Sequence, residues 1–170
     1  MSPEKHAQKV LSDHEVLEPP IPVEEIATRL GAQLSYEPFD GKGELSGVLF
    51  REKGRVVIGI NSSHPTVRQR FSIAHEIGHL VMHQGSVYVD KTVRFNRDGK
   101  SSMAVDREEI QANQFAAELL MPEVLIAASV KKRLNKKPNI SSALLIAELS
   151  GEFKVSAQAM EFRLTNLGII

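Results

Sequence analysis

The feature that most constrains this chain is a pair of histidines with a glutamate between them, in the stretch FSIAHEIGHLVMH. His75, Glu76 and His79 have the spacing H-E-x-x-H. On an α-helix, with about 100° of rotation per residue, these side chains share one arc of roughly 100° with Ser72 and His83, and apolar residues occupy the remainder. The spacing therefore predicts a buried helix with a single polar stripe.

The same spacing predicts a metal site. Two imidazoles one helical turn apart, about 6 Å along the axis, can bind one Zn²⁺ together. Glu76 is displaced sideways, close to a metal-activated water, so its predicted role is that of a general base and not of a ligand. Because the chain has no cysteine, the ligands have to be His, Asp or Glu. The chemistry implied is metal-assisted hydrolysis.

A catalytic zinc usually takes three protein ligands, so one more is needed. On a straight helix His83 lies about 12 Å from His75, and we therefore expect it at the polar end of the stripe, beside the ligands and not among them. A second amphipathic helix offers Glu108 and Glu109 at nearly equal angles to its apolar face, so periodicity does not separate them. Asn113, one turn after Glu109, could orient that carboxylate, which slightly favours Glu109.

The same helix carries Glu118 on the side opposite its apolar face. That position predicts a solvated carboxylate and excludes it from the ligand set. Tyr88 and Arg94, in the segment after the metal-motif helix, are candidate donors to the oxyanion of a hydrolytic reaction. Ordinary strand packing for the tyrosine and surface charge for the arginine are the favoured explanations.

Periodicity and turn residues predict the remaining elements. A weak helix over residues 4–18 and a proline-rich linker precede a helix over 22–30, and three strands follow in AQLSYEPF, LSGVLF and RVVIGI. After the metal motif come a strand-like SVYVDKTVRF, a polar loop from Asn96 to Asp106, the second amphipathic helix and three more helices. We expect an α+β fold, in which a small, mostly antiparallel sheet of about three strands packs on the H-E-x-x-H helix and a helical C-terminal part follows.

The length favours a single domain over residues 1–170, which would contain the predicted hydrolytic metal site. Its expected parts are an N-terminal extension and linker (1–20), the sheet with the metal-site helices (21–122) and the C-terminal helices (123–170). No signal-peptide core and no apolar run of about 18 residues occurs, which predicts a cytoplasmic protein without a membrane contact. The formal net charge of zero gives no general attraction for nucleic acid.

These residues resemble the ImmA/IrrE metallo-endopeptidases, which are zinc-dependent proteases of bacteria and phages. The resemblance runs through IPVEEIATRLGA, LSGVLF, RFSIAHEIGHLVMH, EEIQANQFAAELLMP and VSAQAMEFRLTNLG, and so covers most of residues 21–168. H-E-x-x-H alone is shared by many metalloproteases, but its combination with E-x-x-A-N-x-F-A-A-x-L-L-M-P is specific. The resemblance implies that Glu109, the first glutamate of this second motif, is the third ligand, as in a gluzincin.

The resemblance also implies a protein substrate. Members of that family cleave repressors that carry a helix-turn-helix, and others occur with small regulatory partners, as in toxin-antitoxin modules. Since only about 20 residues precede the shared region, we expect the repressor to be a separate chain encoded nearby and cut in trans. Zn²⁺ is the expected metal, although two histidines and a carboxylate also suit Mn²⁺ or Fe²⁺.

Two rival functions are consistent with parts of the sequence. A DNA-binding regulator would explain the helix-turn-helix-like spacing of Leu149, Phe153, Val155, Ser156, Ala159, Met160 and Leu164, together with the basic run KKRLNKK. Its recognition helix would present Gln158, Glu161 and Arg163, a poor set for DNA phosphates, and a packed helical hairpin explains the apolar spacing equally well. The second rival is a non-catalytic interaction module that a metal ion stabilises.

Overall fold

A computed structural model describes residues 1–39, 45–91 and 101–170 of the chain. This part contains seven helices and four strands: α1 (Pro3–Asp13), α2 (Val23–Arg29), β1 (Ala32–Glu37), β2 (Leu45–Glu52), β3 (Arg55–Asn61), α3 (Thr66–Met82), β4 (Val87–Lys91), α4 (Ser101–Leu120), α5 (Glu123–Lys136), α6 (Ser142–Phe153) and α7 (Ala157–Asn166). None of these helices is both long enough and apolar enough to span a bilayer.

The strands form one mixed sheet in the order β1-β3-β2-β4. β2 pairs antiparallel with β3 and with β4, whereas β1 runs parallel to β3. The α+β class is therefore confirmed, and two of the three strand pairings are antiparallel. The sheet differs from the prediction in having four strands instead of about three and one parallel pairing. Lys53 and Gly54 turn the β2–β3 hairpin with φ of 48° and 80°, which suits a tight two-residue turn. Because β2 occupies one edge of β3, β1 pairs with the other edge. The alternation of apolar and polar residues within a strand does not show which strand it pairs with, so this pairing was not predicted.

Helix α3 covers one face of the sheet. Leu49, Ile58 and Ile60 point from β2 and β3 toward α3 and are fully buried, as are Ile73 and Ile77 on the helix itself. The apolar arc that periodicity predicts is thus the face that packs on the sheet. Its burial leaves the polar stripe of α3 to be covered by other elements.

Helix α4 begins at Ser101. The sequence predicts its start at Asp106 or Arg107, where the polar loop ends. The predicted loop from Asn96 to Asp106 is therefore helical from residue 101 onward, and residues 92–100, which include Arg94, lie outside the described part. Polar composition does not by itself separate a loop from a helix, because a helix also accommodates polar side chains. The loop prediction failed for this reason over residues 101–106.

The C-terminal helices pack into the same core. Leu149, Phe153 and Val155, from α6 and the turn after it, are buried with Met160 and Leu164 of α7. Packing thus accounts for the apolar positions that resemble a helix-turn-helix. The guanidinium of Arg70 on α3 ties the turn to the N-terminal half of the chain, because it donates to the carbonyl oxygens of Lys154 at 3.2 Å and Ile21 at 2.7 Å.

Candidate metal centre

The polar stripe of α3 is buried, as the sequence predicts. His75 and His79 are each 1% exposed, and Glu76 is fully buried beside them. Buried imidazoles and carboxylates are costly unless other polar groups or a cation meet them. Helix α4 supplies those groups on one side of α3, and strand β2 lies close on another.

Glu109 of α4 completes a set of three converging donors. Its Oε2 lies 3.1 Å from Nε2 of His75, and its Oε1 lies 3.2 Å from Nε2 of His79. The two Nε2 atoms are 3.1 Å apart. Metal–ligand bonds of about 2.0–2.1 Å in a tetrahedron would separate the donors by about 3.3–3.4 Å. The three side chains therefore have the chemistry and spacing to hold one metal ion.

The outer nitrogen of each imidazole also has a partner. Nδ1 of His75 lies 3.0 Å from the amide oxygen of Asn113. Nδ1 of His79 lies 3.0 Å from Nδ1 of His83, whose Nε2 lies 3.1 Å from the amide oxygen of Gln111. An amide oxygen only accepts, so each chain of contacts places a hydrogen on the Nδ1 of the inner histidine. In the neutral form of each imidazole, Nε2 then carries the lone pair that can bind a metal ion.

These contacts show where Asn113 and His83 lie relative to the donor set. Asn113, which the sequence places beside Glu109, has its amide oxygen on His75 instead. It does so because positions one turn apart on α4 both face α3. His83 follows the last turn of α3 in an extended conformation and reaches the outer edge of His79. It stands next to the donor set and is not part of it.

The electrostatics of the cluster favour a bound cation. Burial lowers the pKa of His79, against the opposing effect of its hydrogen bond with Glu109. Burial by itself would raise the pKa of Glu109, but hydrogen bonds with His75 and His79 outweigh it and lower that pKa to about 2. An ionised carboxylate thus faces imidazole nitrogens at hydrogen-bond distance. A divalent metal bound by neutral imidazoles and this carboxylate would take the place of these hydrogen bonds.

Two glycines allow this packing, and sequence patterns did not single out either. A Cβ on Gly78, between the two histidines, would lie 3.1 Å from Phe115 and 3.2 Å from the Cα of Ala112, so Gly78 lets α4 approach α3 closely. A Cβ on Gly47 of β2 would lie 2.8 Å from Oε1 of Glu76. For Gly78, the sequence feature that could have indicated this close approach is its position directly before His79, in H-E-x-G-H.

Arg51 of β2 holds the C-terminal end of α3. Its guanidinium donates to the carbonyl oxygens of His79 at 3.0 Å, Leu80 at 2.8 Å and Gly85 at 2.6 Å. The last carbonyls of a helix lack most of their partners within the helix and carry its negative dipole end, so the half-buried guanidinium of Arg51 both satisfies and stabilises them. The backbone under His79 is therefore tied to the sheet.

Tyr88 of β4 lies directly against the donor set. Its ring stacks on His79 with the centroids 4.2 Å apart, and its hydroxyl accepts a hydrogen bond from the backbone N–H of Gly85 at 2.8 Å. Burial, with the negative charge of Glu108, raises the pKa of Tyr88. Glu108 thus faces the tyrosine, whereas the adjacent Glu109 faces the imidazoles.

The prediction that Glu118 is solvated is wrong. Glu118 is 3% exposed, its carboxylate pairs with the guanidinium of Arg163, and it accepts a hydrogen bond from Gln8 at 3.2 Å. Helix α1 packs on this side of α4, which gives α4 a second buried face. The helical period of α4 alone does not reveal a neighbour that is more than 100 residues away in the chain.

Residues 27–165 match the peptidase family described as the IrrE N-terminal-like domain (Peptidase_M78). The chain is also 29% identical over 90 residues to the "Uncharacterized immunity region protein 2" of Bacillus phage phi105. That alignment covers 53% of this chain and 53% of the phage protein. The chain therefore matches about half the length of this relative. The matched family region contains all three of the converging donors.

Proposed function

The chain belongs to the IrrE N-terminal-like peptidase family, and from this premise we propose that it is a zinc-dependent endopeptidase that cuts a regulatory protein. The observation that carries the proposal is the convergence of His75, His79 and Glu109 at 3.1–3.2 Å, with the carboxylate of Glu76 buried one residue after the first histidine. This arrangement offers three ligands and a separate base.

In the proposed reaction, His75, His79 and Glu109 hold the metal. When bound there, Zn²⁺ would lower the pKa of a water molecule and polarise the scissile carbonyl. Glu76 takes a proton from the attacking water on a carboxylate oxygen and delivers it to the nitrogen of the leaving amine. Its complete burial keeps bulk water from this proton transfer.

The residues around the donors have positioning roles in this proposal. Asn113 orients the ring of His75, and Gln111 orients His79 through His83, so that each Nε2 lone pair faces the metal position. The ring of Tyr88 packs against His79 and its hydroxyl is already hydrogen-bonded to Gly85. We therefore assign Tyr88 to holding His79 in place. Because the hydroxyl only accepts from Gly85, its own hydrogen is still able to donate to an oxyanion.

We infer that the substrate is a repressor with a helix-turn-helix, or a similar regulatory protein, cut in trans in the cytoplasm. The resemblance to the ImmA/IrrE proteases supports this inference. So does the phage relative, which is named for an immunity region. The rival function as a DNA reader gains no support from Arg163, because its guanidinium pairs with Glu118 and donates to the carbonyl oxygen of Met121 at 3.0 Å.

The first experiment separates ligands from base by metal analysis. Glu76→Gln should retain about one zinc per chain, because it removes proton transfer and no coordination bond, whereas Glu109→Ala should lose most of the metal. Glu108→Ala is the matched control, since that carboxylate faces Tyr88, and it should keep its zinc. Zinc loss in Glu108→Ala with full occupancy in Glu109→Ala would refute the ligand assignment.

The second experiment tests the reaction. The zinc-loaded protein is incubated with the repressor encoded beside it, and the fragments are identified by mass spectrometry. A few discrete fragments are expected, and both Glu76→Gln and a chelator should prevent them. An intact repressor after prolonged incubation, together with salt-sensitive binding of operator DNA by this chain alone, would favour the regulator over the peptidase.

A further inference from the structure

An apolar groove lies on the surface next to the metal centre. It consists of a cleft of about 380 Å³ bounded by α1, α3, α4 and α7 and an adjoining cleft of about 230 Å³ between α3 and the start of α7. Phe71 of α3 and Ala159 of α7 line both clefts. The two clefts therefore form one continuous surface, which we name the Phe71 groove.

The Phe71 groove is continuous with the donor set. The ring of Phe71 lies 6.5 Å from the ring of His75, measured between centroids. Asn113 lines the larger cleft and at the same time contacts Nδ1 of His75. Asn113 is exposed, so the groove and the outer edge of His75 meet at the protein surface. Glu109, whose side chain is 17% exposed, is the donor from which a polypeptide at the surface can reach the groove.

The lining of the groove fits an apolar occupant. Phe71, Ala117, Met121 and Ala159 contribute apolar surface, and Phe162 adds a large aromatic ring that is 70% exposed. Arg163 is the cation of the larger cleft, and its charge is already matched by Glu118. A concave apolar surface with a few polar groups at its edge is typical of a binding site.

We propose that the Phe71 groove binds one large apolar side chain of the substrate polypeptide, such as Leu, Met or Phe, about two or three residues from the scissile bond. This proposal rests on the proposed peptidase function, because continuity with the metal centre identifies the occupant as the chain being cut. The position follows from an extended chain that advances about 3.3–3.6 Å per residue over the distance from His75 to the groove. Burial of such a side chain should strengthen binding by about tenfold to a hundredfold.

A binding assay tests the groove separately from catalysis. Zinc-loaded Glu76→Gln is titrated into fluorescent decapeptides in which one position at a time is Leu, Phe or Asp, and binding is followed by anisotropy. We expect one position at which Leu or Phe binds at least tenfold more tightly than Asp. Ala159→Phe, introduced into the same protein, should fill the groove and abolish this preference. Ala157→Phe makes the same change at an exposed residue outside the groove and should leave the preference intact.

A second variant tests the groove at an exposed residue, where a substitution should not disturb folding. Phe162→Ser alters a residue that is 70% exposed, so it should fold and keep its zinc while it weakens binding of the apolar peptides severalfold. Peptide binding without a preference at any position would overturn the proposal. So would an apolar preference that survives both Ala159→Phe and Phe162→Ser. Self-association that Ala159→Phe abolishes, measured by sedimentation, would also overturn it, because the occupant would then be a second copy of the chain.

The two proposals fail in different ways. If the zinc-loaded native protein cleaves the same peptides without an apolar preference, the result supports the peptidase function and contradicts the proposal that the groove binds a substrate side chain. Groove-dependent binding to Glu76→Gln, without cleavage by the native protein, would support the groove as a binding site and contradict the endopeptidase.

Discussion

The buried pair of Glu118 and Arg163 gives the sharpest prediction on stability. The Glu118 side chain is 4% exposed and that of Arg163 is 13% exposed, so neither charge is well solvated. Arg163→Leu would leave the carboxylate with Gln8 as its neutral donor. Removing one partner of a buried pair typically costs about 3–5 kcal/mol, because the other charge remains desolvated.

The assay is urea unfolding with both proteins saturated in zinc, so that metal binding contributes equally. Urea unfolding should show the loss of about 3–5 kcal/mol directly. In a separate thermal unfolding experiment, where about 2–4 °C is lost per kcal/mol at this chain length, the melting temperature should fall by about 6–20 °C. The double variant Glu118→Leu, Arg163→Leu removes both charges and should lose markedly less than Arg163→Leu alone. Lys9→Ala, which breaks a pair whose side chains are 61% and 54% exposed, is the control and should cost under about 1 kcal/mol.

The reasoning would be refuted if Arg163→Leu cost no more than the Lys9→Ala control. In that case Glu118 would behave as a solvated carboxylate, as its place on the helix suggests. A double variant less stable than Arg163→Leu would contradict the burial argument in a different way, because removal of the second charge would then bring no relief.

Three further predictions concern the metal centre. Asn113→Leu should weaken zinc binding by about tenfold to a hundredfold in competition with a chromophoric chelator, whereas Gln114→Leu next to it should not; equal affinities would dismiss the positioning role. Gly47→Ala places a Cβ 2.8 Å from Oε1 of Glu76 and should displace this carboxylate. Cleavage should therefore slow by about tenfold or more while the zinc content stays unchanged. Full activity of this variant would contradict the prediction. A chelator should lower the melting temperature, because zinc at 1,000 times its Kd stabilises the folded state by about 4 kcal/mol. The melting temperature of the double variant His75→Ala, His79→Ala should not change when the chelator is added.

Part of the site could be predicted because it depends on local geometry. His75, Glu76 and His79 lie on one buried face because the helical period alone fixes their relative directions. The choice between Glu108 and Glu109 was different, since both lie at similar angles on α4. Only the packing of α4 on α3 turns one carboxylate toward the imidazoles and the other toward Tyr88.

The fold shows the same division. Hydrophobic periodicity indicated all seven helices and the strands, because burial of one face leaves a pattern in neighbouring residues. The parallel pairing of β1 with β3, the pairing of β4 with β2 at the sheet edge and the burial of Glu118 left no such pattern. Each depends on a partner distant in the chain, as Gln8 is from Glu118.

The sequence by itself thus determined the buried helix that carries H-E-x-x-H, the general α+β class and, through the combination of two motifs, the family. The tertiary structure alone decided which atoms meet: Asn113 with His75, His83 with His79, and Gly47 with Glu76. The physical reason is that a helix or strand fixes the direction of its own side chains through short-range backbone geometry. The distance between side chains on different elements is set only when those elements pack.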